Sequence, residues 1–341
     1  MVIVKNKKSR VAVITLSWNG AVHLKACLDE LSKQTFKGFS IYVVDNGSTD
    51  DTFDICNIHI NNLDLHYTRL RTNLGYAKGN NIGISKALKD DPEYIILLNN
   101  DTLPHKNWLE ELVEYMDNNN DISLAQGLNF INNKKIDSNG IYLEEGFIPR
   151  QRSSGQEIFD WVTPTIGPNA AGAIIRSEII PDLKYKNQLL DDSFFAYVED
   201  VDLMLRAFSR GYKHGYAKDA MLIHLGSKTG ERVIGKKMYW GARNTVRMIY
   251  KNITPNVWKI KKRKIIKSQL ANLEYLIKTN KILFLYYLFG LAHGIFTLPM
   301  YHNKRKHNLN RTTISDNQFL NCLVNSNPPL TNPFKKIRVK L

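Results

Sequence analysis

The stretch "YIILLNNDTL" (residues 94–103) decides the fold: a run of apolar, largely β-favouring residues passes without a break into Asn99, Asn100 and Asp101. A short apolar run closed by turn formers reads as a strand buried on both faces of a parallel sheet. Ligands of open α/β folds bind outside the carboxyl ends of such strands. Asp101 therefore stands where a ligand is expected. The same three residues also suit ordinary turn chemistry, with Asp101 capping a helix that starts near Pro104, so the flanking sequence must separate the two readings.

Upstream, "VAVITLSW" (11–18) and "FSIYVVDN" (39–46) are strand-like, and between them Val22, Leu24, Cys27, Leu28 and Leu31 recur at helical spacing. This is a β-α-β unit. "LHYTRLR" (65–71) adds a third strand, a helix follows through "NNIGISKALK" (80–89), and residues 94–103 supply the fourth strand. Strands alternating with helices predict an α/β fold with a mostly parallel, doubly wound sheet. From about Ser123 the strands shorten and carry Gly and Asn ("SLAQGLNFI", "NAAGAIIR") before a helical pattern at "EDVDLMLRAFSRG", which predicts a mixed second half of the same domain.

The length of 341 residues suits one large domain, or one domain with an appendage. Cys27, Cys56 and Cys322 lie far apart and form no C-x-x-C pair, a pattern that suggests neither a disulfide framework nor a cysteine zinc site and fits a reducing, cytoplasmic setting. "MVIVKNKKSR" carries charges where a secretory leader needs an apolar run. The net charge of +15 is unevenly placed. Residues 251–341 hold 17 Lys+Arg against 2 Asp+Glu, whereas residues 1–250 hold 30 of each sign. A general nucleic-acid binder spreads positive charge over its folded domain, so no nucleic-acid partner is expected.

Three polar clusters follow strand ends. In "VVDNGSTDDT" (43–52) Asp45 and Asn46 offer the acceptor and donor pair that matches the edge of a uracil or thymine ring; the alternative is a loop in which Ser48 or Asp50 caps a helix. "RTNLGYAKGNNIGI" (71–84) lets the backbone approach a ligand at a helix start, yet lacks both the dinucleotide and the P-loop glycine patterns. "FFAYVEDVDLMLRAFSRGY" (194–212) places Glu199 and Asp200 at a helix start, where they serve the helix dipole or supply a general base. Asp202 and Arg206 are spaced as a structural i,i+4 ion pair, and His224 ends a further apolar strand.

In their order and spacing, "SWNG", "VVDNGSTDDT", "NLGYAKGNNIGI", "LLNNDT", "NAAGAIIR", "FFAYVEDVDLMLRAFSRGY", "LIHLGS" and "GARNTVRMIYKN" make residues 11–252 resemble the family 2 glycosyltransferases of the GT-A fold. The likeness points to the bacterial branch with rhamnosyl- and galactofuranosyltransferase-like enzymes. It implies a GT-A catalytic domain over 1–252, with a nucleotide-sugar half at about 1–125 and an acceptor half at about 126–252. It implies inverting transfer from dTDP-rhamnose or a UDP-sugar to a hydroxyl of a glycan or lipid-linked acceptor, in cell-surface polysaccharide biosynthesis. Residue by residue, the resemblance makes Asp101 a carboxylate ligand of Mg²⁺ or Mn²⁺ and His224 a further ligand. Trp18, Asp45 and Asn46, with Gly79, Asn80 and Asn100, become nucleotide-sugar contacts, and Asp200 the catalytic base. One departure stands out: Asn99-Asn100-Asp101 lacks the first acid of a D-x-D pattern, and a neutral Asn100 lowers the charge and metal affinity of the site. A metal-dependent nucleotidyltransferase would need a glycine-rich, Lys/Arg-bearing loop that "SWNGAVHLK" does not supply. A non-catalytic basic membrane or nucleic-acid adaptor would not need Asp101, Asp200 and His224 together.

The remaining residues, 253–341, read as a basic helical region and tail. Ile266, Leu270, Leu273 and Ile277 form a stripe among dense Lys and Arg, the pattern of a basic amphipathic helix. "ILFLYYLFGLAHGIFTLPM" (282–300) has 19 residues without Lys, Arg, Asp or Glu, the lower edge of membrane-spanning length, interrupted by Gly290, His293, Gly294 and Pro299 and basic on both flanks. The expectation is a segment lying on the anionic inner face of the cell membrane, with a single span or re-entrant segment at 282–300 as the alternative.

Overall fold

The computed structural model describes residues 9–132, 135–226 and 234–325; the amino-terminal residues read above for a leader and the basic tail after 325 lie outside the described residues. Strands β1 (Val11–Ser17), β2 (Phe39–Asp45), β3 (Leu65–Arg69) and β4 (Tyr94–Leu97) run parallel in the order β3-β2-β1-β4. Their connections include helices α1 (Ala21–Ser32), α2 (Thr52–His59) and α3 (Tyr76–Ala87). The unbroken apolar run of β4 follows from burial on both faces. Ile95 and Leu97 join one core cluster with Ala12, Ile14 and Ile84, while Tyr94 and Ile96 join another with Val11, Val13 and Leu28.

Past β4 the sheet turns mixed. Strand β10 (Ala173–Arg176) pairs antiparallel with β4 and β6 (Ile122–Phe130), β6 pairs parallel with β11 (Lys213–His224), and β11 pairs antiparallel with β5 (Thr102–Pro104). Asp101 caps no helix. The chain after it forms β5, and α4 (Trp108–Asn118) begins later, with Asn107 at its N-cap. The register of β5 against β11 sets Thr102 opposite His224, which brings two strand ends far apart in sequence to one point. A short β7 (Ile136–Ser138) lies antiparallel to β6, and β8 (Ile141–Glu144) and β9 (Pro149–Gln151) belong to a second small sheet.

Two more helices, α5 (Ile180–Leu183) and α6 (Glu199–Ser209), precede the carboxyl-terminal set: α7 (Ile234–Asn252), α8 (Pro255–Thr279), α9 (Lys281–Phe296), α10 (His302–Leu309) and α11 (Asp316–Asn321). These helices are built into the same body as the sheet. Val257, Ile265, Phe319 and Leu323 share the core cluster of Ile14 and Leu97, and β12 (Leu323–Val324) pairs with β8. Buried Lys251 reaches Asp191 Oδ2 (2.5 Å) and Asp202 Oδ1 (2.9 Å), Lys304 reaches Asp191 Oδ1 (2.5 Å), and Asn308 donates to Asn252 (2.8 Å). Buried charges persist only when paired in this way. Asn252, at the expected domain boundary, is thus the end of a helix inside a continuous core. Among the described residues no single helix is long and apolar enough to cross a membrane; Lys281–Phe296 and Leu298–Leu309 pass by length and composition only as a pair bent by 58°.

Candidate active site

His224 sits between two carboxylates. Its Nδ1 lies 2.9 Å from Asp137 Oδ2 and its Nε2 lies 3.3 Å from Asp101 Oδ1, with the Asn99 amide nitrogen 3.4 Å from Nε2. Burial alone would lower the imidazole pKa, but hydrogen bonds to Asp101 and Asp137 outweigh it and raise the value to about 10. Burial likewise pushes Asp101 upward, and the hydrogen bond and charge of His224 reverse this, leaving it below the usual carboxylate value. The fold brings Asp101 and His224 together. Asp137 had no sequence signal: it lies in a polar loop-like stretch and reaches His224 only through the β6–β7 pairing.

The donor set fits one hard divalent cation. With Asp137 holding Nδ1, a cation that displaced the Nε2 proton would be ligated by Nε2, the arrangement by which an outer carboxylate fixes a metal-binding imidazole. The 3.3 Å between Nε2 and Asp101 Oδ1 is close to the ~3 Å expected of neighbouring donors on one small ion. Among the described residues no group of three His, Cys, Asp or Glu side chains converges on a metal position, so a cation held by Asp101 and His224 would need its further ligands from substrate or water. Asn100, in place of an acid, donates instead to Ser17 Oγ at 3.1 Å.

The loop after β2 is organised around Asp45. Its Oδ1 accepts from Ser48 N (2.8 Å), its Oδ2 accepts from the Tyr67 hydroxyl (2.7 Å), and Arg69 Nε lies 3.6 Å away. Asn46 bonds Leu74 N (2.8 Å) and Asn73 Oδ1 (2.9 Å), so it pins the next loop. Gly47 has φ 77°, and a Cβ there would meet the Thr72 backbone at 2.8 Å, so this turn requires glycine. Asp50 accepts from Ala21 N (2.9 Å) and Thr52 N (3.2 Å), which ties the starts of α1 and α2 together. Gly47, Ser48, Thr49, Arg69, Leu70 and Arg71 line an open depression beside Asp45. Trp18, 37 % exposed, stands on the adjoining loop, whose Asn19 bonds Ser48 and Thr49. Gly79 and Asn80 have internal roles: a Cβ on Gly79 would lie 2.4 Å from the Leu16 side chain, and Asn80 donates to Tyr76 O at 2.9 Å.

The acidic pair begins α6 after a strained turn. Phe195, Tyr197 and Val198 all have positive φ (66°, 69° and 74°), a conformation that costs non-glycine residues about 1–3 kcal/mol each. Helix α7 holds it: Asn244 Nδ2 donates to the carbonyls of Phe194 (3.0 Å), Ala196 (3.0 Å) and Tyr197 (2.8 Å), and Arg243 donates to Phe194 O (2.7 Å). The turn that leads into Asp200 is thus held in its strained form by dedicated donors. "GARNTVR" contained these donors, but no local pattern in the sequence names their target. The expected structural pair is present, with buried Arg206 Nε 3.2 Å from Asp202 Oδ2.

Burial raises the Asp200 pKa despite backbone donors from Val201 and Ala170. Glu199 is pushed well above the usual range by burial first and by the Asp200 charge second, and its Oε2 has no partner. Both causes favour the protonated form of Glu199 in the native state. Between the ordinary unfolded Glu value near 4.3 and the native value, the native protein binds the extra proton, so stability falls as pH rises, by about 1.4 kcal/mol per unit. Glu199→Gln should melt higher than wild type at neutral pH, and the gap should close below about pH 4. Thermal melts of both proteins across pH measure this, and parallel curves would mean that Glu199 is ionised when folded.

Comparison with known proteins places the chain among glycosyltransferases. A family model described as glycosyl transferase family 2 matches residues 12–173, and one described as glycosyl transferase family group 2 matches residues 94–301. An uncharacterised glycosyltransferase of Rickettsia typhi is 27 % identical over 198 residues, 58 % of each chain, so the chain spans less than two thirds of that curated relative. Among solved structures, Staphylococcus aureus TarS 1–349 in complex with UDP-GlcNAc superposes with a TM-score of 0.57 at 16 % identity, covering 89 % of both chains. The mannosyltransferase PcManGT from Pyrobaculum calidifontis, in complex with GDP-Man and Mn²⁺, gives 0.52 at 15 % identity over 90 % of this chain and 86 % of its own. Likeness at such identity establishes a shared fold, the GT-A arrangement expected above. The second family model runs from the start of β4 to beyond α9, more than half of the sequence, and the chain belongs to the family 2 glycosyltransferases.

Proposed function

We propose that this chain moves a sugar, with inversion, from dTDP-rhamnose or a UDP-sugar to a hydroxyl of a glycan or lipid-linked acceptor, in the building of a cell-surface polysaccharide. The observation that carries the reading is the position of Tyr76. Its hydroxyl donates to Asn99 Oδ1 (3.0 Å) beside the Asp101–His224 pair. Its phenol is pushed well above the usual range by burial first and then by the neighbouring carboxyl groups of Glu199, Asp200 and Asp101. A prospective metal pair and a prospective base thus share one neighbourhood, at the carboxyl ends of the strands.

In this reading residues 1–125 receive the nucleotide sugar and residues 126–252 the acceptor. The depression lined by Arg69 and Arg71 takes the nucleoside, and Asp101 and His224 hold Mg²⁺ or Mn²⁺ at the diphosphate. When bound, the ion neutralises charge that develops on the departing nucleoside diphosphate. Asp200 removes the proton of the attacking hydroxyl. The ligands of TarS and of the mannosyltransferase support a nucleotide-sugar donor and, in the second case, a metal.

Thermal melts of the full chain with UDP, dTDP and GDP, each with and without Mn²⁺, test this. A pyrimidine nucleoside diphosphate at about a hundred times its Kd should stabilise the fold by about 2.7 kcal/mol. The shift should be larger with Mn²⁺. No shift with any of the three nucleotides would reject the proposal.

A further inference from the structure

Helix α9 is apolar all round, and only half of it is covered. Leu283, Tyr287, Gly290, Leu291 and Gly294 form its buried face. Much of this face packs on α7: a Cβ on Gly290 would lie 2.4 Å from Tyr239 O, and one on Gly294 would lie 2.9 Å from Arg243 O. The two glycines that interrupt the apolar stretch in sequence thus let two helix backbones approach. The opposite face holds Ile282 (69 % exposed), Phe289 (62 %) and Phe296 (83 %), with Leu285 between them and Met300 (79 %) just beyond. A helix with no polar face belongs inside something, and in the described chain this side meets solvent.

Helix α8 extends the surface. Ile266, Leu270 and Ile277 are exposed, and Leu273 on the same stripe packs against the α7–α9 cluster, so the stripe borders the seam with α9. Lys262 and Arg263 lie one turn before Ile266, Lys267 one turn before Leu270, and all three are exposed, as are Lys259 and Lys281. The one acid on α8 and α9, Glu274, is already paired with Lys278 at 2.6 Å. The other charges on these two helices are all cations. A second copy of the chain on a twofold axis would bring like-charged rims together, whereas an anionic bilayer complements both the rim and the face.

We propose that the outer face of α8 and α9 is a membrane-docking surface. Both helices lie in the plane of an anionic bilayer, with Ile282, Leu285, Phe289 and Phe296 entering the boundary between headgroups and acyl chains and the lysines engaging the phosphates. The surface gives the sequence expectation a definite location and argues against a span, because α9 is held along α7 by the Gly290 and Gly294 contacts and by Arg247, which donates to Thr297 Oγ1 at 3.0 Å. The proposal is independent of which sugar is transferred.

The test uses the full chain, because α8–α11 contribute to the core, and vesicles of phosphatidylcholine with or without phosphatidylglycerol. Wild type should sediment with the anionic vesicles and much less with the neutral ones, and salt should release it only in part, since apolar insertion is not screened. Phe289→Ser and Phe296→Ser should each weaken binding by about tenfold or more, without lowering the melting temperature. Lys262→Glu with Arg263→Glu should abolish the preference for anionic lipid. Phe289→Trp, which keeps the side chain apolar, should retain binding and add an indole emission, above that of the five native tryptophans, that brominated acyl chains quench. Wild type that fails to bind, serine variants that bind as wild type, or an added indole emission insensitive to brominated lipid would overturn the proposal. So would a dimer in light scattering that Phe289→Ser dissolves, which would assign the face to a second copy.

Discussion

Asp200→Asn should lower turnover by about 10²- to 10⁴-fold, the usual contribution of a general base, and leave donor binding close to wild type. The substitution keeps the shape, and an amide oxygen can still accept from Val201 N, as the carboxylate does at 2.8 Å. Because burial already raises the pKa of this acid, removing its charge should not lower the melting temperature. The reaction needs the ionised form, so wild-type kcat/KM should fall as pH drops through a value above the ordinary Asp range. The residual activity of the variant should lack that acid limb. Steady-state kinetics across pH, with donor affinity from titration, decides the matter. A folded variant with wild-type turnover would remove Asp200 from the reaction.

Asp101→Ala should have the second large effect, loss of the metal-dependent part of nucleoside diphosphate binding. His224→Ala should weaken the same component, and Asp137→Asn, acting through His224, should lower metal affinity by about 10- to 100-fold. Calorimetric titration of Mn²⁺ into each protein with nucleoside diphosphate reads this directly. Turnover unchanged by a chelator would discard the metal role, and the neutral Asn99-Asn100 pair would then be the reason. The metal-free protein carries its own signature. With the folded His224 value raised to about 10, the ion-pair contribution of the Asp101–His224–Asp137 group to stability is complete below the ordinary histidine value near 6.5 and is lost as pH rises through 10. Asp101→Ala should flatten that dependence.

Most of the framework was legible because it rests on local rules. The apolar runs of β1, β2 and β4 and the helical spacing of α1 announce a parallel sheet, and strand ends mark where Asp45, Asp101 and His224 emerge. The turn after β2 was legible as a turn, although Asp45 and Asn46 spend most of their hydrogen-bonding capacity inside the protein, on Ser48, Tyr67, Asn73 and Leu74. The helix expected near Pro104 is displaced by strand β5. A three-residue strand has too little periodicity to be read, and it forms because the end of β11 offers it a partner.

By itself, then, the sequence determined the alternation of the first four strands with helices, the strand-end acids, the Asp202–Arg206 pair and the concentration of positive charge after residue 250, since each is a pattern within a few residues or a plain count. Only the tertiary structure decided that Asp137 orients His224 across 87 positions, that Asn244 holds the turn before Asp200 across almost 50, and that the apolar stretch at 282–300 buries one side on α7 while its other side faces solvent. Such contacts join chemically ordinary residues through strand register and helix packing. Their partners are set by how distant segments meet, and no local spacing encodes that.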